Sequence, residues 1–225
     1  MPVGTPRLLA GGISLAVFYA LAPLPLHCSG KPGAIVIAVQ GEVLIAQDGG
    51  AVFKPLNVED LLYAGDRIVT GAGSWASVAL KRGAELRLNE SSAFEFYPKR
   101  YPGKVLYLKT GQLWTRLRGK KGSLYVMTPT AICAIRGTEA DINQRASLLV
   151  KVYEGHVYVR NGLGKRALAA GQFLVAKTGE ALQAPRRMRF FPGPGGWQKA
   201  IAAGSIRTLL ERLSAIYDED SLKYE

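Results

Sequence analysis

Histidine and cysteine are scarce in this chain, with two of each among 225 residues. The histidines, His27 and His156, stand in no motif, and Cys28 and Cys133 form neither a CxxC pair nor a Cys/His zinc pattern. A structural metal site is therefore not expected. Nor is nucleophilic catalysis, which needs a base beside its nucleophile. GxSxG, HExxH and Walker-type phosphate loops are all missing. Carboxylates are thin, at 17 against 29 Lys and Arg. One close pair, Glu139 and Asp141, has the spacing that puts both side chains on one face of a strand. Arg136 or Arg145 is the expected partner, making this a structural ion pair and not an acid/base couple. The sequence thus predicts no enzyme, no cofactor and no metal.

The surplus of positive charge is uneven. Residues 81–189 hold 21 Lys and Arg against 7 Asp and Glu, while Glu211, Asp218, Glu219, Asp220 and Glu225 gather at the C-terminus. A basic body favours an anionic partner, or it reflects no more than solvated strand faces. The partner's compartment follows from the N-terminus. Leu8 to Ala22 is uncharged and nearly all apolar, the length of a secretory h-region, with Pro23 and Pro25 just beyond. Continued to Leu26, it reaches the length of a marginal membrane anchor. Three readings stay open over residues 1–30: a cleaved signal, a retained anchor, or lipidation at Cys28. All place the body outside the cytoplasmic membrane, in the periplasm or an equivalent space. There the anionic candidates are lipid headgroups and envelope polymers, and nucleic acid is not expected.

The body, residues 34–184, reads as short strands. Ala34–Val39 and Glu42–Ala46 are rich in β-branched residues, and Ser77–Lys81 and Glu85–Asn89 flank a Gly-containing turn. Glu85-Leu86-Arg87-Leu88 alternates as a strand with one wet face should. Further strands are expected at 105–108, 112–117, 123–126, 148–153 and 156–160. Four segments share a step from apolar through Gly to polar: LYAGDRI (62–68), LKTGQLW (108–114), VYEGHVY (152–158) and LAAGQFL (168–174). Glycine tolerates positive φ, so each copy is expected to end one strand and begin the next. The predicted fold is all-β, an irregular roll or sandwich of short Gly-turned strands. Tyr97, Tyr101, Tyr107, Trp114 and Tyr125 belong either to its core or to a sugar-stacking surface.

Residues 185–204 read as a basic, Pro/Gly-rich linker. Beyond them Ile206, Leu209, Leu210, Leu213, Ile216 and Tyr217 recur at three- and four-residue spacing, which predicts one amphipathic helix over 205–217 with an acidic tail to 225. Its apolar face is expected to bury on the β-body or on a partner. Basic clusters are expected at turns, where Arg118, Lys120 and Lys121, and Arg186, Arg187 and Arg189, are candidate contacts for an anionic partner.

Val39-Gln40-Gly41-Glu42-Val43, and Gly65-Asp66 through Thr70-Gly71 to Ser74, are ordered motifs that resemble the opening strand and the Gly-Asp…Thr-Gly…Ser segment of the FecR protein domain family. Thr128-Pro129-Thr130-Ala131 leading into Arg136-Gly137-Thr138 resembles its TP-x-A…RGT core. Gly155 and Gly171 fall in segments similar to its closing steps. Arg136-Gly137-Thr138 is read as a turn device, with Gly permitting the backbone and the Thr hydroxyl and Arg fork satisfying carbonyls.

The resemblance implies an extracytoplasmic all-β sensing or scaffold domain. Familiar members regulate iron uptake, holding an anti-sigma helix bundle in the cytoplasm and contacting a TonB-dependent transporter outside. Only seven residues precede the apolar segment here, so the expectation is an envelope binding or scaffold protein without that bundle. The alternative is a basic binder of anionic polymer or lipid.

Overall fold

The computed structural model describes residues 30–80, 84–97, 105–117 and 123–189, with Met1. The expected N-terminal targeting segment and the 205–217 helix lie outside the described residues. What is described is almost wholly strand. In chain order these are β1 Ala34–Gln40, β2 Val43–Ala46, β3 Lys54–Pro55, β4 Leu61–Leu62, β5 Arg67–Thr70, β6 Trp75–Leu80, β7 Ala84–Leu88 and β8 Ala93–Glu95. They continue as β9 Val105–Leu117, β10 Leu124–Met127, β11 Ile132–Gln144, β12 Leu148–Asn161, β13 Gly164–Ala169, β14 Gln172–Ala176 and β15 Arg186–Arg187. A single 3-10 turn, Gln47–Gly49, follows β2.

All of these strands belong to one 15-stranded sheet, and the length of three of them decides its shape. β9, β11 and β12 run for 13, 13 and 14 residues and change neighbours halfway along. The second half of β9 pairs with β7 and β11, and its first half with β8 and, in parallel, β10. β11 pairs with β10 at its start and with β9 at its end, while β12 follows it throughout. β12 in turn takes β14 on its first half and β13 on its second. Two rows result: β4-β1-β6-β7-β9-β11-β12-β14-β15, and β3-β2-β5-β8-β9-β10-β11-β12-β13. They share the three long strands, as in sandwiches whose corners are made by bent strands. One cluster of buried apolar side chains draws on both rows, including Val78, Leu86, Leu113 and Ile142 from the first and Phe94, Leu106, Val126 and Val159 from the second. Each fully buried Leu, Ile or Val of this kind contributes roughly 1.5–3 kcal/mol.

Several sequence expectations need correction. The strands are not all short, because the glycine step does two different jobs. Gly65 and Gly171, at φ 96° and 79°, do join successive strands. Gly111 and Gly155, at φ 100° and 71°, lie inside β9 and β12 and bend them without ending them. The same holds for Arg136-Gly137-Thr138, which reverses nothing. It is an irregularity within β11, where the register to β12 shifts between Arg136 and Glu139. Glu85 and Arg87 are 3% and 2% exposed, so the alternation in β7 does not mark a wet face. Finally, the expected linker starts too early, since Arg186 and Arg187 still pair with Phe173 and Gln172.

Candidate binding groove

On the second row, the face turned away from the core carries aromatic and apolar side chains where a solvated strand would carry polar ones. Val105 pairs with Tyr125, Tyr125 with Ala134, Ala134 with Tyr158 and Tyr158 with Ala167, so these residues form one line across five strands. Beside it runs a second line of Tyr107, Met127, Ile132, Arg160 and Lys165. Ala134 is small and stands between two tyrosines, which makes it the floor of a groove. The groove has a volume of about 450 Å³ and is lined by Val105, Tyr125, Met127, Ile132, Ala134 and Tyr158, with Arg160 and Lys165 closing one end. Tyr125 and Tyr158 are 45% and 50% exposed. A contiguous apolar strip with a basic end is suited to an apolar segment that carries a negative group.

The family-motif residues sit elsewhere and brace backbone. Asp66 is buried, and its carboxylate accepts from Asp48 N at 3.0 Å and Tyr63 N at 2.8 Å, tying the turn after β2 to the turn before β5. Burial raises its pKa, and those two bonds oppose the rise. Thr128 builds the Pro129 turn between β10 and β11. Its hydroxyl accepts from Thr130 N and Ala131 N, and its own N–H donates to Ala131 O at 2.9 Å. Thr138 Oγ1 accepts from His156 N at 3.1 Å and lies 2.5 Å from Arg136 O, closing the irregularity across the β11–β12 pair. The Arg136 side chain is exposed and does not supply the expected fork. Gly171 N donates to Val152 O at 2.9 Å.

The expected ion pair also changes partners. Glu139 bonds Arg116 at 2.8 Å, not Arg136 or Arg145. Asp141 accepts from Gln112 Nε2 at 2.9 Å. Trp114 is fully buried and donates to Glu139 at 3.1 Å, so it is no sugar platform. Of the proposed stacking residues, Tyr125 alone is both described and exposed; Tyr101 lies outside the described residues.

The basic candidates are dispersed. Arg118, Lys120 and Lys121 lie outside the described residues. Arg186, Arg187 and Arg189 are exposed, the first two on β15, which borders the first half of β12 through β14. Lys165 and Arg166 belong to β13, on the other half of β12. Among the described residues, no group of three His, Cys, Asp or Glu could hold a metal ion. The groove itself was missed by sequence reasoning. Its signal was present: in both Tyr125-Val126-Met127 and Tyr158-Val159-Arg160 a buried valine fixes the tyrosine on the opposite, solvent-side face.

No curated protein matches the chain. Two crystal structures of a proposed anti-sigma factor from Parabacteroides distasonis, at 1.65 Å and 2.50 Å resolution, are similar to it. Their sequence identities are 16% and 15% and their TM-scores 0.47 and 0.46. In both cases the match covers 54% of this chain and 59% of that one, so this chain spans little more than half the length of those proteins. The model of the FecR protein family matches residues 66–158. That stretch contains β9 and β11, most of β12 and most of the groove's lining, and over it the chain is similar to the FecR family.

Proposed function

We propose that this FecR domain works outside the cytoplasmic membrane as a non-enzymatic binding module in envelope signalling, and that the groove of Tyr125, Ala134 and Tyr158 is its contact face. The observation that carries the reading is the exposure of two tyrosines on either side of a small floor residue. Aromatic anchors beside a pocket are the usual centres of protein-recognition sites. The occupant is a segment of an envelope protein with an apolar side chain for the floor and a carboxylate for Arg160 and Lys165. Export rests on the Leu8–Ala22 segment.

The test has two arms. An alkaline phosphatase fusion after residue 60 should be active, and an inactive, cytosolic fusion would remove the localisation. A photo-crosslinking residue at position 125 or 158 should trap one envelope protein, and Ala134→Glu should abolish the capture without lowering Tm. Capture that survives Ala134→Glu would move the contact face away from the groove. A second reading, adhesion to anionic polymer or lipid, is favoured by the exposed Lys165, Arg166, Arg186 and Arg187. It predicts capture of no single protein and binding that falls steeply with salt.

A further inference from the structure

The groove has a direction, set by β11. Its floor is Ile132 and Ala134, and the next residue on that face is Arg136, because Cys133 and Ile135 between them are buried on the core side. Ala134 pairs with Tyr125 of β10 on one side and Tyr158 of β12 on the other, so the two rings stand as walls along β11. Two strand spacings, roughly 10 Å, separate the backbones of these walls. An α-helix with its side chains is roughly 10–12 Å across, too wide for the space left between two rings. A single extended chain fits.

Both ends of this valley are basic. At the Ile132 end stand Arg160, which pairs with Ile132, and Lys165, which pairs with Arg160. At the other end Arg136 pairs with His156, and both are exposed. Among the described residues, the side chains of Arg136, Arg160 and Lys165 make no ion pair. Glu95 is on β8, two strands from β10, and Glu154 lies past the bend at Gly155. The irregularity in β11 fixes the Arg136 end. Gly137 has φ 53°, regular pairing with β12 stops at Arg136, and the Thr138 hydroxyl sits between Arg136 O and the backbone of His156. Irregularities of this type aim a side chain.

Resting on the groove as contact face, we infer that its occupant is an extended segment lying along β11, with carboxylates at i and i+4 and an apolar residue at i+2. Arg136 binds the second carboxylate. Extended chains repeat every two residues, so i, i+2 and i+4 all face the sheet, at the spacing of Ile132, Ala134 and Arg136. From Ile132 to Arg136 is roughly 13 Å in either chain. The first carboxylate meets Arg160 and Lys165, and the apolar side chain fills the space over Ala134 between the tyrosines. A carboxylate at i+3 points to solvent instead.

The experiment titrates the full chain with three fluorescent peptides capped at both ends. The first, Ser-Thr-Glu-Thr-Leu-Thr-Glu-Thr-Ser, is symmetric and so serves either chain direction. The second has Gln for its second Glu, and the third, Ser-Thr-Glu-Thr-Leu-Glu-Thr-Thr-Ser, moves that Glu to i+3. The first should bind roughly three- to fivefold more tightly than the others, as an exposed ion pair allows. Arg136→Gln should remove that advantage and leave the other two peptides unchanged, and Arg136→Lys should restore part of it. Equal binding of the i+3 peptide, an Arg136→Gln effect equal on all three, or no binding by any of them would overturn the inference. Ala134→Glu distinguishes this failure from failure of the contact face itself. If it abolishes peptide binding while Arg136→Gln has no effect, the groove stands and only the extended, two-carboxylate occupant falls. If the peptides bind Ala134→Glu unchanged, the groove is not the contact face and both fall.

Discussion

Gly155 is a position where no side chain fits. Its φ is 71°, and a Cβ there would stand 2.4 Å from the carbonyl oxygen of Gly137. Gly73 has nearly the same backbone, φ 64°, with nothing within 4 Å. The pair separates two costs. Gly73→Ala bears the left-handed backbone alone and should lose about 1 kcal/mol. Gly155→Ala adds a collision inside the β11–β12 ladder and should cost clearly more; equal urea midpoints would refute the collision. Cys133 makes a different prediction. It is sealed in the core, and loss of solvent around the thiolate pushes its pKa up from 9.0 to about 12. The folded state therefore holds the proton longer than the unfolded chain does. Its contribution to stability is complete below pH 9.0 and is lost as pH rises toward about 12. Cys133→Ala should flatten that alkaline decline in denaturant titrations, and a thiol reagent should leave Cys133 unmodified in the folded chain.

At the scale of elements, the edge strand β13 carries its own protection. It pairs with β12 alone among its hydrogen-bonded neighbours, and Lys165 and Arg166 are exposed along it. Charged side chains on an edge discourage pairing with another chain. Replacing Lys165 and Arg166 by Thr and Val should raise concentration-dependent light scattering while the monomer's melting temperature changes little. If scattering stays flat, the edge is protected by something other than charge. The strands themselves were largely legible: β-branched runs and alternation mark β1, β2, β6, β7 and β10 within a residue or two. What alternation does not mark is continuity. Gly111 and Gly155 look like strand ends because glycine at positive φ serves a turn and a bend equally well, and only the facing strand decides which. The dry Arg87–Trp114 face was illegible for a related reason. Glu85-Leu86-Arg87 has the pattern of a half-wet strand, and nothing local to it reports that Arg87 lies over the Trp75 and Trp114 rings and pairs with Glu85. The groove needed residues from five strands, although the tyrosines at 125 and 158 were each placed on the outer face by the valine beside them.

For the whole molecule, the net charge of +12 is a diffuse property. Lys165 and Arg160 lie at one end of β12 and Arg186 and Arg187 flank the other. Adhesion to anionic vesicles should therefore be weak and should fall steeply with salt, as the Debye length shrinks from ~10 Å at 0.1 M to ~3 Å at 1 M. Replacing Arg118, Lys120 and Lys121 by Gln should lower it roughly in proportion to the charge removed, without lowering Tm. Complete loss would mean a focused patch made by those three residues. The sharing of β9, β11 and β12 by both rows has a mechanical result. A pull on an occupant of the groove enters the fold at Tyr158 and Ala134 and passes along covalent backbone into the other row, with no interface on the way that can slip. The long β11–β12 ladder resists such a load as many hydrogen bonds in shear, not one at a time as a zipper would. In a force spectrometer the domain should hold until a single high rupture event and then lose both rows at once.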